Sequence, residues 1–95
     1  MCENNVRTEI GNCERMILGQ RVSYKLYLEN KNNKARYAIA VQRGEEYANN
    51  DFGEDFLSVA VLFTEIVNGE VLPYSLEEIA EDFQNSPKIY REKSI

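Results

Sequence analysis

The strongest constraint on this chain is a change of hydrophobic period near its middle. In Val22-Ser23-Tyr24-Lys25-Leu26-Tyr27-Leu28, positions 22, 24, 26 and 28 are apolar or aromatic, while Ser23 and Lys25 face the other way. A two-residue period of branched and aromatic residues specifies a strand with one buried face. Ala35 to Gln42 resumes the alternation, with Tyr37, Ile39 and Val41 on one face. The intervening Glu29-Asn30-Lys31-Asn32-Asn33-Lys34 is a turn, because asparagine adopts left-handed backbone angles cheaply. The two segments are expected to form an antiparallel hairpin.

Beyond residue 51 the period becomes helical. Phe56, Val59, Ala60, Phe63, Ile66 and Val67 recur at three- and four-residue spacing and cover one broad face. This predicts a helix starting at Asp51 or Gly53, running to about Asn68 and closed by Gly69. A second helix is predicted from Ser75 as N-cap with Glu78 three residues on, a capping box, and Tyr74 stapled to Ile79. Leu76, Ile79, Ala80 and Phe83 form its inner stripe, and it ends near Asn85, before Ser86-Pro87. Ahead of the hairpin, Val6 to Ile10 reads as a short strand ended by Gly11-Asn12, and Arg15 to Leu18 leads into a turn at Gly19-Gln20. Arg43 to Asn50 reads as a loop holding a short strand around Tyr47.

These elements define an α+β fold: an antiparallel three- to four-stranded meander followed by two helices packed on one face. Ninety-five residues supply surface for one core. The expected boundaries are a single domain over residues 1–87 and a charged C-terminal tail over 88–95.

Several chemistries drop out. The chain has no histidine, which removes Ser–His and Cys–His couples and Cys₂His₂ zinc sites. Its two cysteines cannot make a four-thiolate site within one chain. Its five glycines are scattered singly, so there is no phosphate-cradling loop. Asn49 to Asp55 is rich in oxygen ligands but breaks the calcium-loop pattern, and reads as a loop entering a helix. Glu77/Glu81 and Glu78/Asp82 are carboxylate pairs at helical spacing, read as solvated rather than as an acid–base couple. The sequence therefore predicts a non-enzymatic protein with no cofactor and no metal. The longest apolar run, Val59 to Phe63, is far short of the roughly 20 residues that cross a bilayer. With no basic and apolar leader at its start, the chain is expected in the cytoplasm, with Cys2 and Cys13 as reduced thiols.

Charge is the one unusual property. Residues 1–43 hold eight Lys/Arg against four Asp/Glu, a net of +4, whereas residues 44–87 hold eleven acids and no base, a net of −11. One reading is internal neutralisation of acidic helices by basic strands. A second is an acidic docking face of Glu77, Glu78, Glu81 and Asp82, which would steer a basic protein partner. A third is weak nucleic-acid binding by the strands, which requires Lys25, Arg36 and Arg43 to point one way without acidic neighbours. At a sequence pI near 4.7, nucleic acid is the least favoured partner. Leu57 and Val61 lie one turn apart off the main stripe of the first helix. Exposed together they would make an interface patch, suited to a homodimer; the N-terminal segment, or Ile89 and Tyr90, could instead cover them. The leading expectation is a small protein-interaction or regulatory module.

Tyr37-Ala38-Ile39-Ala40-Val41, followed by Val71-Leu72-Pro73, Leu76, Ile79 and Asp82-Phe83, resembles a family of short proteins of Gram-positive, clostridial-type anaerobes known only as a domain of unknown function. The resemblance covers about residues 22–84 and rests on packing and capping residues. Family members often carry a histidine or another polar residue where this chain has Ser75. The resemblance implies a bacterial, cytoplasmic, non-enzymatic protein and brings no site residues.

Overall fold

The computed structural model describes residues 6–85. Four strands, β1 (Val6–Ile17), β2 (Gln20–Lys31), β3 (Lys34–Arg43) and β4 (Glu46–Gly53), precede two helices, α1 (Phe56–Asn68) and α2 (Pro73–Asn85). The strands pair antiparallel in the order β1-β2-β3-β4. This is the expected α+β meander with two helices, and all four strands are present. The proposed end of the domain at residue 87, the tail 88–95, Cys2, Ile89 and Tyr90 lie outside the described residues.

The two periods meet in one core. Val22, Tyr24, Leu26, Ile39 and Val41 on one sheet face cluster with Val59, Leu62 and Ile66 of α1 and Leu76, Ala80 and Phe83 of α2. α2 lies over β4 and, more lightly, β3; α1 reaches β3. Phe52 of β4 meets Phe83 edge-on at 5.6 Å between ring centroids.

The N-terminal segment departs from expectation. Gly11 does not end a strand. The ladder steps from Glu9↔Tyr27 to Gly11↔Leu26, leaving Ile10 as an extra residue, so β1 runs on through a bulge. A Cβ at Gly11 would stand 3.1 Å from Leu26 Cβ and 3.5 Å from Phe63 Cε2. Glycine is there because the strand passes close to its neighbours, not because the chain turns. The turn itself falls one residue earlier than expected, on Leu18-Gly19, at φ 52° and 80°. Tight hairpins need such angles because only those turns match the twist of the flanking strands. Asn32 and Asn33 meet the same demand with the residue type suited to it, at φ 53° and 66°. Leu18 is not suited: it is 94% exposed and gains no burial. Its left-handed backbone costs about 1 kcal/mol.

Helix boundaries move as well. Asp51 and Gly53 belong to β4, and α1 begins after Asp55, whose carboxylate caps it by accepting the Ser58 N–H at 3.4 Å and Ser58 Oγ at 2.8 Å. At the other end Gly69 keeps an ordinary helical φ of −84°. The left-handed position falls on Glu70, at φ 54°. The Glu70 N–H reaches the Val67 carbonyl at 3.1 Å and the Val71 N–H reaches that of Ile66 at 3.2 Å, a Schellman closure. α2 begins at Pro73, whose missing N–H costs nothing in the first helical position. Ser75 is therefore inside the first turn, its N–H bonded to the Leu72 carbonyl at 3.0 Å, and the expected capping box does not form. Tyr74 is 73% exposed rather than stapled into the core.

A part-buried hydrogen bond joins the layers. Tyr24, fully buried on β2, donates its hydroxyl to the Val71 carbonyl in the interhelix connection at 2.9 Å. Burial pushes the Tyr24 phenol above its ordinary pKa; Glu70 adds to this and Arg15 opposes it.

Two expectations follow for stability. Glu70→Gly removes both the left-handed strain and an acid at a helix C-terminus, and should raise stability by about 1 kcal/mol in chemical denaturation; a loss would mean that the Glu70 side chain stabilises the fold. Tyr24→Phe leaves the Val71 carbonyl without its partner and should cost about 1 kcal/mol at neutral pH. Because the folded-state pKa of Tyr24 is raised, its share of stability is complete below about pH 10, the unfolded value, and is lost as pH rises from there through the folded value. The gap between Tyr24→Phe and the native chain should therefore narrow in denaturation curves above pH 10.

Candidate protein-binding site

Antiparallel register sorts the charged residues by face. Arg7, Glu9, Glu14, Lys25, Glu29, Arg36 and Asp51 fall on the sheet face opposite the core, since each is paired with, or two residues from, a residue of that face. They neutralise one another. Arg7 pairs with Glu29 at 2.9 Å and lies over the Tyr27 ring at 4.1 Å; Lys25 pairs with Glu9 at 3.6 Å, and Arg21 with Glu14 at 3.6 Å. Arg36 bridges Asp51 at 2.7 Å and Glu54 at 3.3 Å, and the hydrogen bond and charge of Asp51 hold its guanidinium above the ordinary arginine pKa. Arg43 sits opposite Val22, on the other face, and pairs with Glu46 at 2.6 Å. Lys25, Arg36 and Arg43 thus do not share one face, and each has an acid beside it.

α2 differs. Its inner stripe of Leu76, Ala80 and Phe83 is buried, which turns Glu77, Glu78, Glu81 and Asp82 outward, all four exposed. Among the described residues, no ion pair involves any of the four. Tyr74 heads the same surface, one turn before Glu77 and Glu78.

Beside this surface lies a cleft of ≈ 570 Å³ lined by Glu46 to Asn50, Pro73, Tyr74 and Glu77. Five consecutive strand residues cannot line a pocket on a sheet face, because alternate side chains point to opposite faces. The cleft therefore follows the edge of β4, which among the described residues pairs with β3 alone. The start of α2 forms its second wall. Tyr47, 54% exposed, stands in register with Gln42 on the outer face, so the two tyrosines mark opposite rims.

The structure places Glu77, Glu78, Glu81 and Asp82 on the exposed side of α2. Leu57 and Val61 lie one turn apart on α1, Leu57 72% exposed and Val61 half-buried. Glu46 to Asn50 and the outward Tyr74 are additions to the expected site. The signal for the strand was weak alternation, Tyr47 and Asn49 against Ala48 and Asn50, in which Tyr47 is suited to a strand and the asparagines are not. The oxygen-rich stretch Asn49 to Asp55 is largely strand, with Asp51 accepting the Gly53 N–H at 2.8 Å and Asp55 capping α1. Cys13 is a half-buried free thiol.

Comparison with protein-family models, curated proteins and solved structures returns no match. Among the described residues, no helix is long and apolar enough to cross a membrane. No three or more Cys, Asp or Glu side chains among them are grouped to hold a metal ion.

If the α2 acids have no structural task, Glu78→Lys/Asp82→Lys should unfold within about 0.5 kcal/mol of the native chain. A larger loss in thermal melts would assign those carboxylates to folding.

Proposed function

We propose that this protein is a small, non-enzymatic interaction module that recruits a basic protein partner through the outer face of α2. One observation carries the reading: Arg7, Arg21, Lys25, Arg36 and Arg43 of the sheet each pair with an acid of the strands or with Glu54, while Glu77, Glu78, Glu81 and Asp82 have no ion pair among the described residues. Like charges at i,i+4 cost a helix about 0.2–0.5 kcal/mol per pair. Glu77/Glu81 and Glu78/Asp82 both have that spacing. A cationic surface docked on them converts the repulsion into attraction and steers the encounter.

The nucleic-acid alternative lacks comparable support, because Lys25, Arg36 and Arg43 are divided between two faces and each is paired with an acid. Self-association is a weaker reading, since Leu57 protrudes without Val61 fully exposed beside it. We place the module's action in the cytoplasm of a bacterium, following the family resemblance.

Co-purification from the native host, with the native chain and Glu78→Lys/Asp82→Lys side by side, tests the reading. The native chain should retain a basic protein that the variant loses, and retention should weaken as salt is raised. A variant that keeps every partner would sink the proposal.

A further inference from the structure

The geometry points to a more specific mode of recognition: the outer edge of β4 over Glu46 to Asn50, which has no strand partner among the described residues, accepts an extended, basic peptide segment as a fifth strand, held between Tyr47 and the start of α2. This inference rests on the interaction-module reading and assigns it a ligand class.

Three observations carry it. The ladder from Ala38↔Asp51 to Arg43↔Glu46 is unbroken, so Glu46 to Asp51 form a regular edge until the irregularity at Phe52. An edge strand carries unpaired N–H and C=O groups, and native proteins commonly block it with a bulge, a lysine or a proline. The opposite edge, β1, has a bulge in its middle at Ile10. The stretch Glu46-Tyr47-Ala48-Asn49-Asn50-Asp51 has none of the three. Second, this edge opens into the ≈ 570 Å³ cleft walled by Pro73, Tyr74 and Glu77, which leaves room for a backbone beside the strand. Third, the surroundings select the occupant. Glu77 lines the cleft and continues into Glu78, Glu81 and Asp82, while Glu45 lies exposed at the turn before β4.

These charges argue against a second copy of this chain, whose own β4 would bring another Glu77 and another acidic helix to the same place. They favour a strand with Lys or Arg at alternate positions. Side chains alternate across a strand, so cations on the helix side face Tyr74 and Glu77, and residues on the other side pack along Tyr47. Main-chain pairing gives such a complex its affinity, and the alternating side chains give it specificity.

The test uses a library of acetylated nonapeptides with lysine at alternate positions and varied residues between, titrated into the full chain and followed by amide NMR. The expected result is a saturable ligand that shifts and protects the amides of residues 46–50 from exchange. N-methylation of alternate peptide nitrogens, on the edge that pairs, should weaken it roughly tenfold or more through lost interstrand bonds. Glu77→Lys should weaken it several-fold while leaving the fold's spectrum unchanged. Binding that ignores N-methylation and perturbs only residues 77–82 overturns the strand-addition mode, although it leaves the acidic-helix module standing. Failure of every library member to bind saturably also overturns it, and co-purification then decides the module reading separately. Antiparallel self-pairing, seen as a doubled mass with the same 46–50 protections and no peptide present, would assign the edge to a second copy and overturn the peptide.

Discussion

The hydroxyl of Tyr24 holds the two layers in register. Tyr24 lies on β2, fully buried, and most of its ring is an ordinary part of the apolar face. The phenol oxygen is not apolar, and burying it unpaired would cost about 1–3 kcal/mol. It is paired with the carbonyl of Val71, in the four-residue connection between α1 and α2. That carbonyl gains a partner that the helices cannot supply. The contact thus ties a fixed point of the sheet to the point where the chain changes direction. Glu70 in its left-handed conformation turns the chain, Val71 enters the core side, and Pro73 starts the next helix two residues later. The place where α2 begins sets the second wall of the β4 cleft.

The electrostatics have a different logic from the packing. Strands bring residues distant in sequence into cross-strand pairs, so a basic front half containing a few acids can neutralise itself locally. Arg7 finds Glu29, Lys25 finds Glu9, and Arg21 finds Glu14. Surface pairs of this kind contribute about 0–1 kcal/mol each, so they keep the sheet face neutral more than they hold the fold. A helix cannot neutralise itself that way when no base occurs in it. α2 gains its position from Leu76, Ala80 and Phe83, and its outer face repels itself. The initial split of +4 against −11 is therefore not balanced by strands facing helices. Five strand bases pair with acids of the strands or with Glu54, and among the described residues the α2 carboxylates have no ion pair.

Much of the fold was legible because two hydrophobic periods dominate it. Val22 to Leu28 and Tyr37 to Val41 announce the central hairpin, and Val59 to Ile66 announces α1. Where local signals competed, the wrong one was easy to choose. Gly11-Asn12 looks like a strand end, yet tertiary crowding by Leu26 and Phe63 explains the glycine within a bulged strand. Gly69 looks like a left-handed helix stop, but the Schellman bonds place that role on Glu70, against its preference. Ser75 and Glu78 spell a capping box, but Pro73 opens the helix two residues earlier, supplying the fixed φ that suits a first turn. The exposed acids of α2 were legible from the helical period alone, because whatever packs inward at 76, 80 and 83 forces 77, 78, 81 and 82 outward.

The cleft was not legible, for a topological reason. An edge exists only relative to the other strands, and nothing in Glu46-Tyr47-Ala48-Asn49-Asn50 says whether it will be flanked on one side or two. With a polar, Asn-rich composition it reads more easily as a loop. Pairing with β3 makes it a strand, and the burial of Phe52 against Phe83 anchors its end to α2. That anchoring also brings the helix to the strand that, among the described residues, has no outer neighbour. Strand order and Phe52 thus juxtapose two features that are separate in sequence: a strand edge and a row of carboxylates, neither of them paired among the described residues. Either alone would be a common surface feature of a small domain. Their adjacency at Glu77 is what gives the surface a direction, a backbone partner on one wall and a charge on the other.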